Sequence, residues 1–400
     1  MAAIQYNPFD FRFRTDPYPL YRLMRETDPV LWNPFLQVWV VTRYKDNVSV
    51  LTDTRFSADR RDSQNPFARA MVSRQEEFGP LGRSPTMLGA DPPEHTRLRR
   101  LTSKAFTARR VEEMRPHIQQ VVDDLLAGTR DEIDIIKDLA YPLPVIVIAE
   151  MLGVPPEDRD TFKSWSNDIA AALGAPFVPP AVLERSKTSV QEMADYFGLI
   201  VAQRRKDPRN DLISALLAAQ DQRQALSEDE LLATCMLLLS AGNETTTHLI
   251  GNSILALLQH PEQLQRLKAD PGLMPGAVEE FLRHQGPVQS TSRVARGQIE
   301  IEGRQISDGQ VVVALVAAAN RDPEVFPDPD VLDICRAPNP HLAFGDGIHF
   351  CLGAALARAE AQIAISGFLA VARQPRLAVT EPEWINSFVL RGLRSLPVVL

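Results

Sequence analysis

The stretch Phe344-Gly345-Asp346-Gly347-Ile348-His349-Phe350-Cys351-Leu352-Gly353-Ala354-Ala355-Leu356-Ala357-Arg358 decides how the chain is read. Its first half is loop-like, with Gly345 and Gly347 supplying backbone conformations that side chains oppose. Its second half, rich in Leu and Ala, predicts a helix. Cys351 falls at the joint. Unpaired N–H groups and the positive end of the helix dipole gather there, and both favour a thiolate over a thiol. Gly353 is a poor helix residue but leaves room for a flat, rigid body against the backbone.

A thiolate among backbone donors and small residues suits a large metal cofactor, and thiolate is a known proximal ligand of haem iron. His349 is placed to meet a haem propionate. The bland reading of a lone cysteine here is a buried free thiol. The surrounding pattern decides against it. The segment resembles the haem-binding loop of the cytochrome P450 monooxygenases, in which Phe and Gly precede the ligand Cys and Gly follows it. Phe344, Gly345, Gly347, Cys351 and Gly353 all match. The resemblance makes Cys351 the axial ligand of haem b, with Phe344, Gly345, His349 and Gly353 around the cofactor.

Working outward, the central match lies upstream. Ser227-Glu-Asp-Glu230 is a capping box opening a helix that runs to about Gln259, before His260-Pro261. The middle, Leu231 to Gly242, is apolar nearly all round, so the helix should cross the core. Leu238, Ala241, Gly242 and Thr245 fall on one face, where Ala241 and Gly242 let a body approach the backbone. Glu244 and Thr245 are costly in a buried helix unless used. The stretch Ala241-Gly242-Asn243-Glu244-Thr245-Thr246 resembles the family's oxygen-activation motif. That resemblance makes Thr245 the hydroxyl that bonds dioxygen and Glu244 a proton relay. The alternative is a back-bonded Thr beside an exposed Glu.

The remaining matches follow in the family's order, from Asp91 to Leu390. Asp91-Pro92-Pro93-Glu94 predicts a helix start with Asp91 as the cap. On this helix His95, Leu98, Arg99 and Thr102 share one face, and Arg97, Arg100 and Lys104 the other. His95 and Arg99 match the family's propionate contacts, as does Arg293 further on. Glu280 and Arg283, one turn apart, pair by spacing alone. The resemblance joins them to Arg336 in a buried structural cluster. Arg97, Arg100, Lys104, Arg109 and Arg110 make a basic patch, either a solvated face or a dock for an acidic ferredoxin.

The expected fold is mainly α with small β-sheets, the cytochrome P450 fold in one large domain of residues 1–400. Its β-richer parts lie near 30–42, 288–316 and 383–400. Val30–Trp32 and Val38–Thr42 read as a hairpin, Gln298–Ile306 and Gln310–Val316 as paired strands, and Glu383–Leu400 as a terminal hairpin. Val145–Ala149 is apolar enough for a helix or a strand. Residues 57–90 read as a long irregular loop, which in the resembled family covers the substrate pocket.

The bulk composition sets the outer bounds. The chain has 400 residues, 44% hydrophobic, with a net charge of −8, which argues against a nucleic-acid binder. Cys235, Cys335 and Cys351 form no paired framework, and the first residues lack a signal-peptide pattern. No apolar run reaches the roughly 18 residues of a membrane span. The expectation is a cytoplasmic monomer with no membrane and no nucleic-acid partner.

The implied reaction inserts one atom of O2 into a C–H or C=C bond of a lipophilic molecule. Electrons would come from NAD(P)H through a separate ferredoxin and reductase. Rival readings are a peroxide-driven peroxygenase and a non-catalytic haem–thiolate sensor. Met87, Leu88, Leu238, Ala241, Val288, Phe388, Val389 and Leu390 are the expected pocket lining. Arg69 and Arg74 are the candidates to meet a fatty-acid carboxylate, while macrocyclic, terpenoid and steroid substrates fit the apolar lining equally.

Overall fold

The Ser227 hydroxyl accepts from the Glu230 amide, and the Glu230 carboxylate accepts from the Ser227 amide. That reciprocal cap opens a helix of 32 residues, Glu228–Gln259. At the helical rise this is about 48 Å, long enough to traverse the molecule. Its all-round apolar surface is covered from several sides. The helices Pro142–Met151, Gly79–Arg83, Met274–Gln285 and Ala354–Val371 all pack on it.

The protein is described here from a computed structural model, which describes residues 6–7, 10, 15–129, 131–173, 178–219, 224–387 and 389–400. Helices dominate, and the sheets are small. The largest sheet has the order Val30–Asn33, Val38–Val41, Val311–Ala314, Thr291–Ala295, Phe56–Ser57. Val38–Val41 and Val311–Ala314 run parallel, with Val40 opposite Val313. The other pairings in this sheet are antiparallel. A smaller sheet joins Glu132–Asp134, Pro397–Val399 and Arg376–Leu377, tying the last residues to the helical body.

The Val145–Ala149 run lies in a helix, Pro142–Met151, buried almost throughout. Burial on all sides explains why its pattern did not discriminate.

Several expectations are corrected. Residues 57–90 are not one irregular loop, since they hold the helices Pro66–Glu76 and Gly79–Arg83. Asp91 does not cap its helix. Pro93 stands at the cap position of Glu94–Ala105, and the Asp91 carboxylate instead accepts from the Ser57 hydroxyl and the Ala58 amide. Ile299–Ile301 pairs with Arg304–Ile306 in a private hairpin, while Val311–Ala314 joins the main sheet, so the two segments are not partners. Val316 begins a short helix. Of the terminal segment, only Glu383–Trp384 and Leu393–Ser395 form the hairpin.

Among the described residues one helix, Ala354–Val371, is long and apolar enough to cross a membrane, with mean hydropathy 1.3. Half of it is buried within the fold, where it packs on Ala108–Leu126 and Met274–Gln285. Arg358 and Glu360 interrupt the apolar run, so only the average over the helix reveals it.

Candidate active site

Backbone geometry sets the cysteine loop. Gly345 and Gly347 have φ of +73° and +67°, where a side chain would be strained. At Gly347 a Cβ would also come within 3.0 Å of the Leu51 carbonyl oxygen. The Cys351 amide donates to the Phe344 carbonyl at 2.9 Å, closing the loop. The helix begins later than expected, at Ala354 with Gly353 as cap. Cys351 therefore precedes the helix and opens into a cavity.

Burial raises the pKa of the free Cys351 thiol, outweighing the Gly353 amide, Arg99 and Arg358, which all pull it down. The expected preference for thiolate is thus reversed for the unligated group, because desolvation outweighs the nearby donors. A coordinating metal would displace the thiol proton outright.

Beside Cys351 lies a cluster of basic groups, two arginines and two histidines. The His95 and His349 rings meet with centroids 4.3 Å apart, tilted by 51°. Both His95 ring nitrogens are buried with no hydrogen-bond partner. Burial and then Arg99 lower the His95 pKa. Burial, Arg293 and His95 bring His349 to about 4. Arg293 falls to about 10 through burial and the charge of Arg60. Asp91 is the acid that offsets part of this at His95, His349 and Arg293. Crowded cations and orphaned ring nitrogens require an anion. Two carboxylates on a flat macrocycle meet that requirement. Gly353 keeps the approach open, since a Cβ there would meet only the Cys351 sulfur, at 3.9 Å. The residues present therefore fit haem.

The central helix forms the facing wall. Ala241 and Gly242 are exposed to the cavity, and a Cβ on Gly242 would meet nothing within 4 Å. The Thr245 hydroxyl donates back to the Ala241 carbonyl at 2.9 Å, leaving its oxygen lone pairs to accept from the cavity side. Glu244 is not an exposed carboxylate. Burial alone raises its pKa to about 7, with no charged partner contributing. A carboxyl poised near neutrality is suited to passing protons.

The cavity encloses about 1040 Å³. That is at or above the upper end of ordinary small-molecule sites, leaving room for a macrocycle and a second molecule. His95 aside, the expected cofactor contacts Arg99, Ala241, Arg293, Phe344, Gly345, His349, Cys351 and Gly353 all line it. So do Met87, Leu88, Leu238, Val288, Val389 and Leu390, and Val288 bridges to Leu390. Phe388 lies outside the described residues. Arg69 is not on the cavity wall, because its Nε donates to the Ser63 carbonyl at 2.7 Å. The Arg74 side chain is likewise outside what is described.

Glu280 and Arg283 are fully buried and bonded bidentately at 2.7 and 2.8 Å. Arg336 approaches the same carboxylate at 3.3 Å. Arg283 also donates to the Asn320, Pro329 and Val331 carbonyls, and Arg336 to those of Pro327, Asp328 and Val331. The cluster pins the strand-free segment leading to the cysteine loop. Sequence reasoning missed a second clamp beside it. Arg358 bonds Glu279 bidentately at 2.7 and 2.8 Å, and its guanidinium lies 4.5 Å from the Phe344 ring centroid. His341 joins Glu279 at 3.1 Å. The adjacent Glu279-Glu280 pair was the available signal, each acid serving a different arginine.

The basic patch changes in composition. Arg97 is withdrawn from it, paired with both Glu94 and Glu230. Arg109 pairs with Glu113 at 2.8 Å, and Arg110 reaches the Ala105 carbonyl and Asn210. Helical spacing alone did not reveal that the capping glutamate of another helix meets Arg97.

The family model described as Cytochrome P450 matches residues 32–270 and 272–371. The chain is 43% identical over 401 residues to cytochrome P450 107B1 of Saccharopolyspora erythraea, covering 98% of this chain and 96% of that one. Among solved structures, the bacillaene polyketide synthase cytochrome P450 PksS of Bacillus subtilis superposes with a TM-score of 0.90 at 36% identity, over 99% of this chain and 100% of that one. P450BioI, solved with an acyl carrier protein ligated to hexadec-9Z-enoic acid, gives a TM-score of 0.88 at 39% identity, over 97% and 99% of the two chains.

Proposed function

From the premise that the chain belongs to the cytochrome P450 family and is a cytochrome P450 monooxygenase, we propose that it hydroxylates or epoxidises a lipophilic small molecule with electrons from a separate ferredoxin and reductase. The observation that carries this reading is convergence. The Cys351 thiol, the cation cluster and the Glu244–Thr245 pair all face one largely apolar cavity. Haem bound through Cys351 supplies the activation of dioxygen and the transfer of one of its atoms. Arg99 and Arg293 would neutralise the propionates and the His95 and His349 rings would donate hydrogen bonds to them, while the Phe344 carbonyl holds the Cys351 amide in place. Glu280, Arg283 and Arg336 act by stiffening the segment behind the loop.

Proton handling belongs to the central helix. Thr245 accepts a hydrogen bond through lone pairs left free by its bond to Ala241. Glu244, with a pKa of about 7, takes a proton from solvent and returns it toward the cavity. An exposed surface carboxylate would hold too little proton at neutral pH to do this. The electron donor docks near Arg100 and Lys104, both exposed, with Arg109 and Arg110 at the margin. The unpaired cysteines Cys235, Cys335 and Cys351 fit work in the cytoplasm.

The substrate class follows from the lining (Met87, Leu238, Val288, Val389, Leu390) and from the relatives. One solved relative carries a fatty acyl chain on its carrier protein, and another is named for a polyketide synthase. The test is reconstitution with ferredoxin, ferredoxin reductase and NADPH against a panel of fatty acids and macrolides. NADPH consumption matched by oxygenated product is expected. Turnover with hydrogen peroxide but none with ferredoxin would replace this reading with a peroxygenase.

A further inference from the structure

The run Asp59-Arg60-Arg61-Asp62 looks like a self-neutralising surface segment. In the structure it is not. Asp59 accepts from the amide and the guanidinium of Arg61, with a contact at 2.5 Å. Asp62 faces Arg296 at 3.7 Å, and Arg296 in turn holds Asp91 at 2.9 Å. Asp59 and Asp62, the acids flanking Arg60 in sequence, each face another arginine. Arg60 is left over. Among the described residues no side-chain hydrogen bond or ion pair holds its guanidinium. It is half-buried and lines the cavity. Burial lowers its pKa, with no acid pulling it back.

Its neighbours on the cavity wall sharpen the point. Arg61 and Arg83 also line the cavity, but Arg61 is bound to Asp59 and the Arg83 Nε donates to the Gly79 carbonyl. Among the described residues, Arg60 presents on this wall a planar fork that neither an acid nor a backbone carbonyl engages. It lies close enough to Arg293 for its charge to lower that residue's pKa. A guanidinium without an acid, facing an apolar cavity and repelling another guanidinium, costs free energy unless an anion arrives. The shape that fits a guanidinium fork is a carboxylate.

We propose that Arg60 is a carboxylate-binding residue of the reaction cavity. This inference rests on the monooxygenase reading of the cavity and goes beyond it, since it assigns an anion-recognising group that neither Arg69 nor the propionate cluster provides. The carboxylate comes either from the substrate, making the enzyme selective for lipophilic acids, or from the haem.

The experiment uses the holoenzyme and the variants Arg60→Gln and Arg60→Lys. Wild-type protein first gives its reduced carbon monoxide spectrum. A missing red-shifted Soret band there overturns the monooxygenase reading and leaves the Arg60 arms measurable. Calorimetric titration with dodecanoic acid and with dodecanol then reads binding without relying on haem. Haem transfer to apomyoglobin reads cofactor retention. A substrate carboxylate predicts that Arg60→Gln weakens the acid by roughly 10- to 100-fold, the range of a hydrogen bond to a charged group, and leaves the alcohol unchanged. A haem carboxylate predicts faster haem loss with acid and alcohol binding both unchanged. Arg60→Lys, which keeps the charge without the fork, should recover part of either effect. If Arg60→Gln alters neither acid binding nor haem loss, the proposal is overturned.

Discussion

Cys351 and Arg60 face one cavity from walls held together by different means. Around Cys351 the backbone does the positioning. Two left-handed glycines, the Cys351–Phe344 amide bond and the Glu279–Arg358 clamp determine where the sulfur sits. Behind it the Glu280–Arg283–Arg336 cluster ties side chains to backbone carbonyls from Asn320 to Val331. The wall around Arg60 is made of short helices, Pro66–Glu76 and Gly79–Arg83, and of side-chain pairs whose partners are settled in three dimensions. The first wall is fixed by backbone geometry and buried ion pairs. The second is held by side-chain pairs away from the ligand loop.

The largest expected effect tests the rigid wall. Glu280→Ala leaves Arg283 and Arg336 buried without their acid, and should destabilise the protein by about 3–5 kcal/mol. Chemical denaturation with haem absorbance as readout checks this. A loss under about 1 kcal/mol would show that the backbone carbonyls alone hold both arginines.

Next comes the central helix between the walls. Thr245→Ala should lower product formation by roughly 10²-fold while NADPH consumption continues, because the accepting oxygen is gone. Product and NADPH measured together distinguish this from a general loss of activity.

A smaller effect is expected from pH. Glu244 is protonated below about 7 and ionised above it. As a proton donor it should let product per NADPH fall as pH rises through 7, and Glu244→Gln should abolish that limb. Its stability linkage has the same direction. The folded state holds this proton more tightly than the unfolded chain, so stability falls as pH rises from the ordinary carboxylate range through 7. Denaturant midpoints for wild type and Glu244→Gln across that window check the sign.

The smallest effect belongs to the apolar side chains that the central helix turns to the cavity. Leu238→Phe adds volume to the cavity lining and should shift the product distribution or substrate preference by only a few-fold, with the reduced carbon monoxide spectrum unchanged. A spectral change would mean that Leu238 supports the cofactor as well.

These differences also explain what the sequence could convey. The cysteine loop was legible because its constraints are local: glycine conformations, a neighbouring cysteine and a helix start lie within one stretch. The capping box at Ser227 was legible for the same reason. The placement of Glu244 and Thr245 followed from helical periodicity, although only the structure separates a back-bonded Thr245 with free lone pairs from an inert one. Arg60 was not legible. Two arginines between two aspartates carry no sign of which will turn inward, and the answer depends on Arg296, more than two hundred residues away, having faced Asp62. Arg97 misled in the opposite sense, since its outward position on the helix gave no warning of Glu230. The helix Pro66–Glu76 escaped notice because its mixed, weakly periodic surface is fixed by what it covers.

The central claim is that Cys351 holds a haem as its thiolate. The most direct measurement is the absorption spectrum of the reduced protein with carbon monoxide, for wild type and Cys351→Ala. A strongly red-shifted Soret band in wild type that is lost in the variant is the predicted result. A folded, haem-replete wild type without that band, or a variant that retains it, would contradict the assignment of Cys351 as the ligand.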